Sequence, residues 1–403
     1  MASCIARQPI FNRHMNIYGY ELLYRDAPSA TAFLGGVDQN VATSETIKNS
    51  FHGVGIERVT GGKRAFVNFT EDLILEEVAT LLPVRLLVVE LLETVRATPA
   101  VLEACAKLHK RGYLIALDDF TFEADAMNFL KVADIVKVDF LATDMGRIRQ
   151  FAHEMSNKNI KLLAEKLETQ EMYKEALAMN FSLFQGYFFS HPANVDSDKE
   201  LNPLKINCLQ LMRLSMQENV NFTKIANIIK HDVALSYRLL RVVNSAFFGL
   251  RYTVKSIRQA LAILGMDEVK KWITLVCLSE LRDEKPDELI TMSLIRARFL
   301  ELLGDRVGLR KQADDLFMLG LLSLMDAIMD LSKEEIIRRT QVSENIANPL
   351  ITGVGTFAEL LRMVICYERS EWDEAIKIAQ DFGLVSDDLV DLYLESVYWS
   401  NQF

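Results

Sequence analysis

Residues 114–140 read LIALDDFTFEADAMNFLKVADIVKVDF. Two apolar, β-branched runs, LIALDDF (114–120) and IVKVDF (135–140), each close on acidic residues. Runs of this length and composition read as strands. The pattern recurs on both sides, in AFVNF (65–69), LLVVELLE (86–93), LLAEKLE (162–168) and LFQGYFF (183–189). Between them, AVLEACAKLHKRG (100–112) and ETQEMYKEALAMN (168–180) carry apolar residues at helical spacing, and Gly112 suits a C-terminal stop. Repeated strand–helix units predict a parallel sheet or barrel. The opening RQPIFNRHMNIYGYELLYR (7–25) differs. Two strand-like stretches flank a polar turn at Asn12–Asn16, which predicts a hairpin.

After about Pro203 the strand runs stop and amphipathic helical patterns continue to the C-terminus. NFTKIANIIKHD (221–232), ALSYRLLRVVNSAFF (234–248) and SIRQALAILG (256–265) all space apolar residues at i, i+3/i+4. The polar, Pro-bearing HPANVDSDKELNP (191–203) reads as the join. The expected domains are therefore 1–192, a linker at 193–203, and an all-helical unit over 204–403.

The chain of 403 residues, 50% hydrophobic and 25% charged, has the composition of a soluble globular protein. Its formal net charge of −10 opposes non-specific nucleic-acid binding, which needs a positive field. The start, MASCIARQPIFN, has no long apolar run of the secretory kind. The most apolar later stretch, about 316–328, is broken by Asp326 and too short to span a bilayer. Cys4, Cys105, Cys208, Cys277 and Cys366 are scattered without a C-x-x-C, which fits buried free thiols in a cytoplasmic protein.

A polar residue stands at or near the end of almost every strand-like run: Glu21, Asn68, Glu90, Glu93, Asp118, Asp119, Lys137, Asp139, Glu165, Glu168 and Gln185. In an α/β barrel these ends converge on one mouth. Glu21, Glu90, Asp118, Asp119 and Glu165 cannot all ionise there without cations. One or two hard divalent ions, Mg²⁺ or Mn²⁺, on oxygen ligands that include the Asn68 amide, solve that problem. Adjacent residues on a regular strand face opposite ways, so Asp118 and Asp119 share a site only if Asp119 lies past the strand end. There it could hold a second ion about 3.5–4 Å from the first, as in two-metal phosphodiester cleavage. Lys137 would supply positive charge for a water or a phosphate oxygen.

These motifs in this order resemble the EAL family of cyclic di-GMP phosphodiesterases over about residues 3–192. Tyr20-Glu21-Leu22-Leu23-Tyr24-Arg25 resembles its E-A-L-L-R, Phe66-Val67-Asn68 its metal-binding Asn, and Glu90-Leu91-Leu92-Glu93 its E-x-T-E. Asp118-Asp119-Phe120 resembles D-D-F-G, Lys137-Val138-Asp139 K-I-D, Ala164-Glu165-Lys166-Leu167-Glu168 A-E-G-V-E, and Gln185-Gly186-Tyr187 Q-G-Y. The resemblance implies a TIM-like (β/α) barrel that binds cyclic di-GMP or a related dinucleotide with Mg or Mn. It implies Glu21, Asn68, Glu90, Asp118, Asp119 and Glu165 as metal ligands. Lys137 and Gln185, with Glu165, would serve the chemistry, and Arg25 would grip the ligand.

Two departures from the family bear on turnover. After Phe120 the family continues G-T-G-Y-S-S, in a loop that lies beside the metals and packs in the dimer. Here Thr121-Phe122-Glu123-Ala124-Asp125-Ala126 stands instead. The segment between Arg25 and Asn68 is also short for the family. The expectation is a ligand-binding barrel with weak or absent phosphodiesterase activity; the alternative is an active Mg/Mn-dependent enzyme. A homodimer is left open.

The second half resembles the HDOD domain, a helical relative of HD-type metal phosphohydrolases. Asn244-Ser245-Ala246-Phe247-Phe248-Gly249 resembles N-S-A-x-x-G, and Ser256-Ile257 to Leu264-Gly265 resembles S-I-x-x-A-x-x-x-L-G. Ser256 is a candidate N-cap. An HD site needs several histidines, yet His231 is the only one after residue 200, and its pairing with Asp232 reads as a helix boundary. Ser323-Leu324 stand where HD enzymes carry His-Asp. The resemblance implies a protein-interaction module, its partner unspecified, without metal hydrolysis, and with no membrane or nucleic-acid role.

Overall fold

The computed structural model describes residues 3–26, 55–190, 208, 211, 214–215, 221–244, 253–280, 286–340 and 342–401. The join at 191–203 and most of the 244–249 motif lie outside them. Eight strands close into a barrel in chain order. They are β1 (Ser3–Asn12), β2 (Ile17–Asp26), β3 (Arg64–Phe69), β4 (Leu87–Leu91), β5 (Leu114–Leu117), β6 (Ile135–Asp139), β7 (Lys161–Glu165) and β8 (Leu183–Gln185).

β1 runs antiparallel to both of its neighbours, and the other pairs are parallel. The reversal is built by Asn12, whose Oδ1 accepts the His14 and Asn16 amides at 2.8 and 3.1 Å, closing the expected hairpin as an Asx turn. Three of the parallel steps, β4 to β5, β6 to β7 and β7 to β8, are made by helices with side-chain caps. Pro99–Lys110 starts with Thr98 capping Val101 N and proline at its first position, and Gly112 follows it at φ 95°. Met145–Met155 is capped by Asp144, and Gln170–Ala178 by Thr169.

Inside the barrel Ile10, Phe66, Val88, Ala116, Ile135, Leu163 and Leu183 form an apolar plug separate from the outer core. On a strand, side chains two apart share a face. Each parallel plug residue is therefore followed, two positions on, by a polar one on the same side: Asn68, Glu90, Asp118, Lys137, Glu165 and Gln185. In the reversed β1 the step runs backward, from Ile10 to Gln8. One period-two rule thus lays a polar floor on an apolar plug, the layered interior of such barrels.

From Phe222 to Ser400 the described elements are all helical. Asp232 caps the Val233–Val243 helix through Leu235 N, and Ser256 caps Ile257–Leu264 through Gln259 N, as the sequence leads one to expect. Asn244 joins Val254 through its side-chain amide, accepting from Val254 N at 2.7 Å and donating to Val254 O at 2.9 Å. The Asp287–Arg306 helix crosses Ala313–Leu322 closely at Gly320, where a Cβ would lie 2.5 Å from Ala297 N. All five cysteines are buried and free. Among the described residues no single helix is long and apolar enough to cross a membrane.

The outer side of the β1–β2 hairpin is covered by these helices. β8 pairs with β1 only at Ile10, Phe11 and Asn12, so β1 runs on past it with an open edge. Two tyrosines complete that edge: Tyr367 Oη accepts Ile5 N at 3.4 Å and Tyr393 Oη accepts Arg7 N at 3.2 Å. Tyr187, just past β8, donates to Glu368 O at 3.1 Å.

Candidate functional site

The polar floor centres on Lys137, which is 1% exposed. Its ammonium lies 3.4 Å from Glu21, 2.7 Å from Asp118 and 2.9 Å from Glu165, and also pairs with Glu90. Burial opposes its charge, but these four carboxylates outweigh burial and hold its pKa well above the usual value. One ammonium does not neutralise four carboxylates. Burial accordingly pushes Glu90 well above the carboxylate range and Glu165 up to about 8, and Lys137 offsets this only in part.

The same floor holds buried acceptors that lack donors. Asn68 Oδ1, Glu90 Oε2, Glu165 Oε2 and Gln185 Oε1 have no hydrogen-bond partner among the described residues. Orphaned buried oxygens are costly. Glu21, Glu90 and Asp118 bring ligand oxygens within 4.8 Å of one another, and Glu93, Asp118 and Asp119 do the same in a more exposed group. Asp118 belongs to both. Oxygen donors, surplus negative charge and unsatisfied acceptors in one place fit hard divalent cations.

Local structure explains how each side chain arrives. β5 ends at Leu117, and Asp118 N is held by Leu91 O at 3.0 Å. Asp119 turns at φ 38°, which brings its carboxylate round beside Asp118. Gln185 Nε2 donates to Glu21 Oε2 at 2.6 Å and to Gln8 Oε1 at 3.0 Å, tying β8 to the hairpin. Gly186 lets the chain turn against β7's end: at φ 139°, a Cβ there would lie 2.2 Å from Leu167 O. Asp139 accepts Leu141 N and Ala142 N at 2.7 and 2.9 Å and pairs with Lys166. Against burial, those bonds, Lys166 first, hold its pKa below the usual range.

The expected ligand residues Glu21, Asn68, Glu90, Asp118, Asp119 and Glu165 line the mouth together with Lys137 and Gln185. Arg25 is placed differently. Its guanidinium meets Asp373 of the Trp372–Asp381 helix at 2.9 Å, and that pair is solvent-accessible. Glu93, Lys166 and Gln8 join the site without having been among the expected ligands. Glu93 was legible as the second acid of the β4 run, whereas nothing local to Gln8 or Lys166 announces their contacts.

After Phe120 a short irregular stretch leads into the Ala124–Phe129 helix. Phe122 sits at φ 62° and packs with Phe120 and Phe151 at 5.2 and 5.0 Å between ring centres, with the Arg147 guanidinium over its ring. Asp125 turns from the mouth to accept Ala97 N at 3.2 Å. In the helical region, Ser323 Oγ accepts Arg296 Nη1 at 3.1 Å, while Arg296 makes two bonds to Glu368 at 2.7 and 2.9 Å. A buried guanidinium and its carboxylate therefore adjoin Ser323.

The EAL domain model matches residues 64–192 and the HDOD domain model matches residues 201–336. The first range begins at Arg64, so Glu21 lies outside it and stands on its geometry. The uncharacterized protein YuxH of Bacillus subtilis is 34% identical over 403 residues, covering 98% of this chain and 97% of that protein. The cyclic di-GMP phosphodiesterase CdgJ of Vibrio cholerae is 31% identical over 398 residues, covering 98% of this chain and 92% of that protein. The crystal structure of an EAL domain protein from Listeria monocytogenes aligns at 20% identity and a TM-score of 0.37, over 47% of this chain and 87% of that one. With relatives matched from end to end and both domain models in the same order, the chain belongs to the EAL–HDOD family of two-domain proteins.

Proposed function

We propose that this chain is a cyclic di-GMP signalling protein whose barrel binds the dinucleotide with Mg²⁺ or Mn²⁺ and hydrolyses it slowly or not at all. The observation that supports binding is the polar floor, with surplus carboxylates around one ammonium and buried acceptors facing no donor. Glu21, Asn68, Glu90, Asp118, Asp119 and Glu165 are the proposed ligands. A bound divalent ion would neutralise phosphate charge and lower the pKa of water. Lys137 fixes the carboxylates and offers charge to the phosphate side. Gln185, oriented by Gln8 and Glu21, presents its amide beside them, and Glu165 is poised to take a proton.

The observation that supports slow turnover is the turn after Phe120. Aromatic packing holds it where the family has a glycine loop beside the metals. In-line attack is sensitive to small displacements, which cost about 100-fold per ångström. The complete acid set favours the second reading, an active phosphodiesterase as in the Vibrio relative's name. The helical region is proposed as the protein-interaction module. Equilibrium binding of cyclic di-GMP with and without Mn²⁺, run beside a hydrolysis assay, tests both halves. Absence of Mn²⁺-dependent binding refutes the binding claim. Turnover of about 1 per second or faster replaces the slow reading with the enzyme reading.

A further inference from the structure

Lys166 follows the last residue of β7 and sits at φ 55°, the left-handed region that an L side chain adopts at a cost. A chain under no other demand would put glycine there. What this lysine gains is charge pairing. Its ammonium binds Asp139 and lies 3.6 Å from Asp119 Oδ1. Asp139 is itself fixed by the Leu141 and Ala142 amides, so it acts as a firm anchor that leans Lys166 toward Asp119.

Asp119 belongs to the outer acid group with Glu93 and Asp118, whose oxygens come within 4.8 Å of one another. The inner group, Glu21, Glu90 and Asp118, has Lys137 beneath it but keeps orphaned acceptors nearby. The outer group thus has a cation of its own. An ion bonded to Asp119 Oδ1 at about 2.1 Å would stand within about 6 Å of the Lys166 ammonium. Like charges so close repel; Lys166 answers only Asp139 and Asp119, whereas the single Lys137 ammonium is shared among four carboxylates and leaves the inner group with surplus negative charge.

We propose that Lys166 is the resident cation of the outer acid group. The wild-type chain then takes one divalent ion, at the inner group with Asn68, and of the proposed ligands Asp119 alone stays with Lys166, admitting a second ion beside Glu93 only when Lys166 is removed. This rests on the divalent site proposed above.

The test is Mn²⁺ titration of the full chain, followed by calorimetry and by the electron paramagnetic resonance of free and bound Mn²⁺. The proteins are the wild type, Lys166→Gly, Lys166→Met and Asp118→Asn. Glycine relieves the backbone, and methionine keeps the stem while removing the charge. The expected result is one ion in the wild type and two in both Lys166 variants. The second ion should bind at least tenfold tighter than any second event in the wild type, with spin–spin broadening from neighbouring ions. Two ions bound equally well by the wild type, or no second ion in either variant, overturns the inference and leaves the inner site standing. A first ion held as tightly by Asp118→Asn, or no ion in any protein, overturns the inner site and this inference with it.

Discussion

The Tyr20 hydroxyl donates to Glu288 Oε2 at 2.8 Å, joining β2 to the Asp287–Arg306 helix. The next residue in the chain, Glu21, points the opposite way into the polar floor. One peptide unit therefore connects the proposed metal ligands to a buried polar junction with the helical region. The Arg7 guanidinium lies over the Tyr20 ring at 4.3 Å and completes that junction.

The junction should make stability depend on pH. Burial pushes the Glu288 carboxyl up from 4.5 to about 7, opposed by Arg7 and Tyr20 and reinforced by Glu368 and Asp287. A raised folded pKa means that the folded state holds the proton more tightly. The contribution is fully present below the unfolded pKa and is lost as pH rises through the folded one. Thermal unfolding temperature should fall between about pH 4.5 and 7, by an amount worth at most about 3 kcal/mol. Glu288→Gln should flatten that slope in calorimetry. An unchanged slope in the variant would remove Glu288 as its source.

The Arg25–Asp373 pair sets a second expectation. Exposed ion pairs are worth about 0–1 kcal/mol. Asp373→Ala should free Arg25 and tighten cyclic di-GMP binding by up to about fivefold, while Arg25→Ala should weaken it. Identical affinity in all three proteins by calorimetry would place Arg25 outside the ligand site.

Lys137→Met should lower stability in chelator by about 3–5 kcal/mol, because it leaves buried carboxylates without their partner. Added Mn²⁺ should restore much of that loss, since an ion bound only by the folded state stabilises it. Denaturant midpoints with and without metal measure both effects. A loss that Mn²⁺ does not reverse would count against the carboxylates as ligands.

Exchanging residues 121–126 for Gly-Thr-Gly-Tyr-Ser-Ser removes Phe122 from its aromatic contacts and restores glycine flexibility beside Asp119. Hydrolysis of cyclic di-GMP should rise by up to about 100-fold, with binding changed far less. No increase, in a protein that still binds the dinucleotide, would locate the defect elsewhere.

The strands were legible because each is a short apolar run of one period, and the mouth was legible because polar residues interrupt those runs two positions past the plug. Asp232 and Ser256 could be read as caps from their positions alone. Contacts that span the chain left no such mark. Arg25 looks like a ligand residue from its motif, and its pairing with Asp373 depends on how a helix some 350 residues later packs. Gln8 sits in a strand whose reversal turns the two-residue step backward, so its place beside Gln185 follows only from the hairpin. Lys166 reads as one polar residue after a strand, and its bond to Asp139 appears once β6 and β7 lie side by side.

The two tyrosine hydroxyls on β1 bear on how the protein can be dissected. A strand edge with unpaired amides is a template for another strand. Cut from its helices, the barrel would present Ile5 and Arg7 amides to solvent and to its neighbours, and would be prone to assemble edge to edge. Tyr367 and Tyr393 are thus guards against aggregation supplied by the far end of the chain. During synthesis, the nascent barrel has to wait for both before that edge is closed.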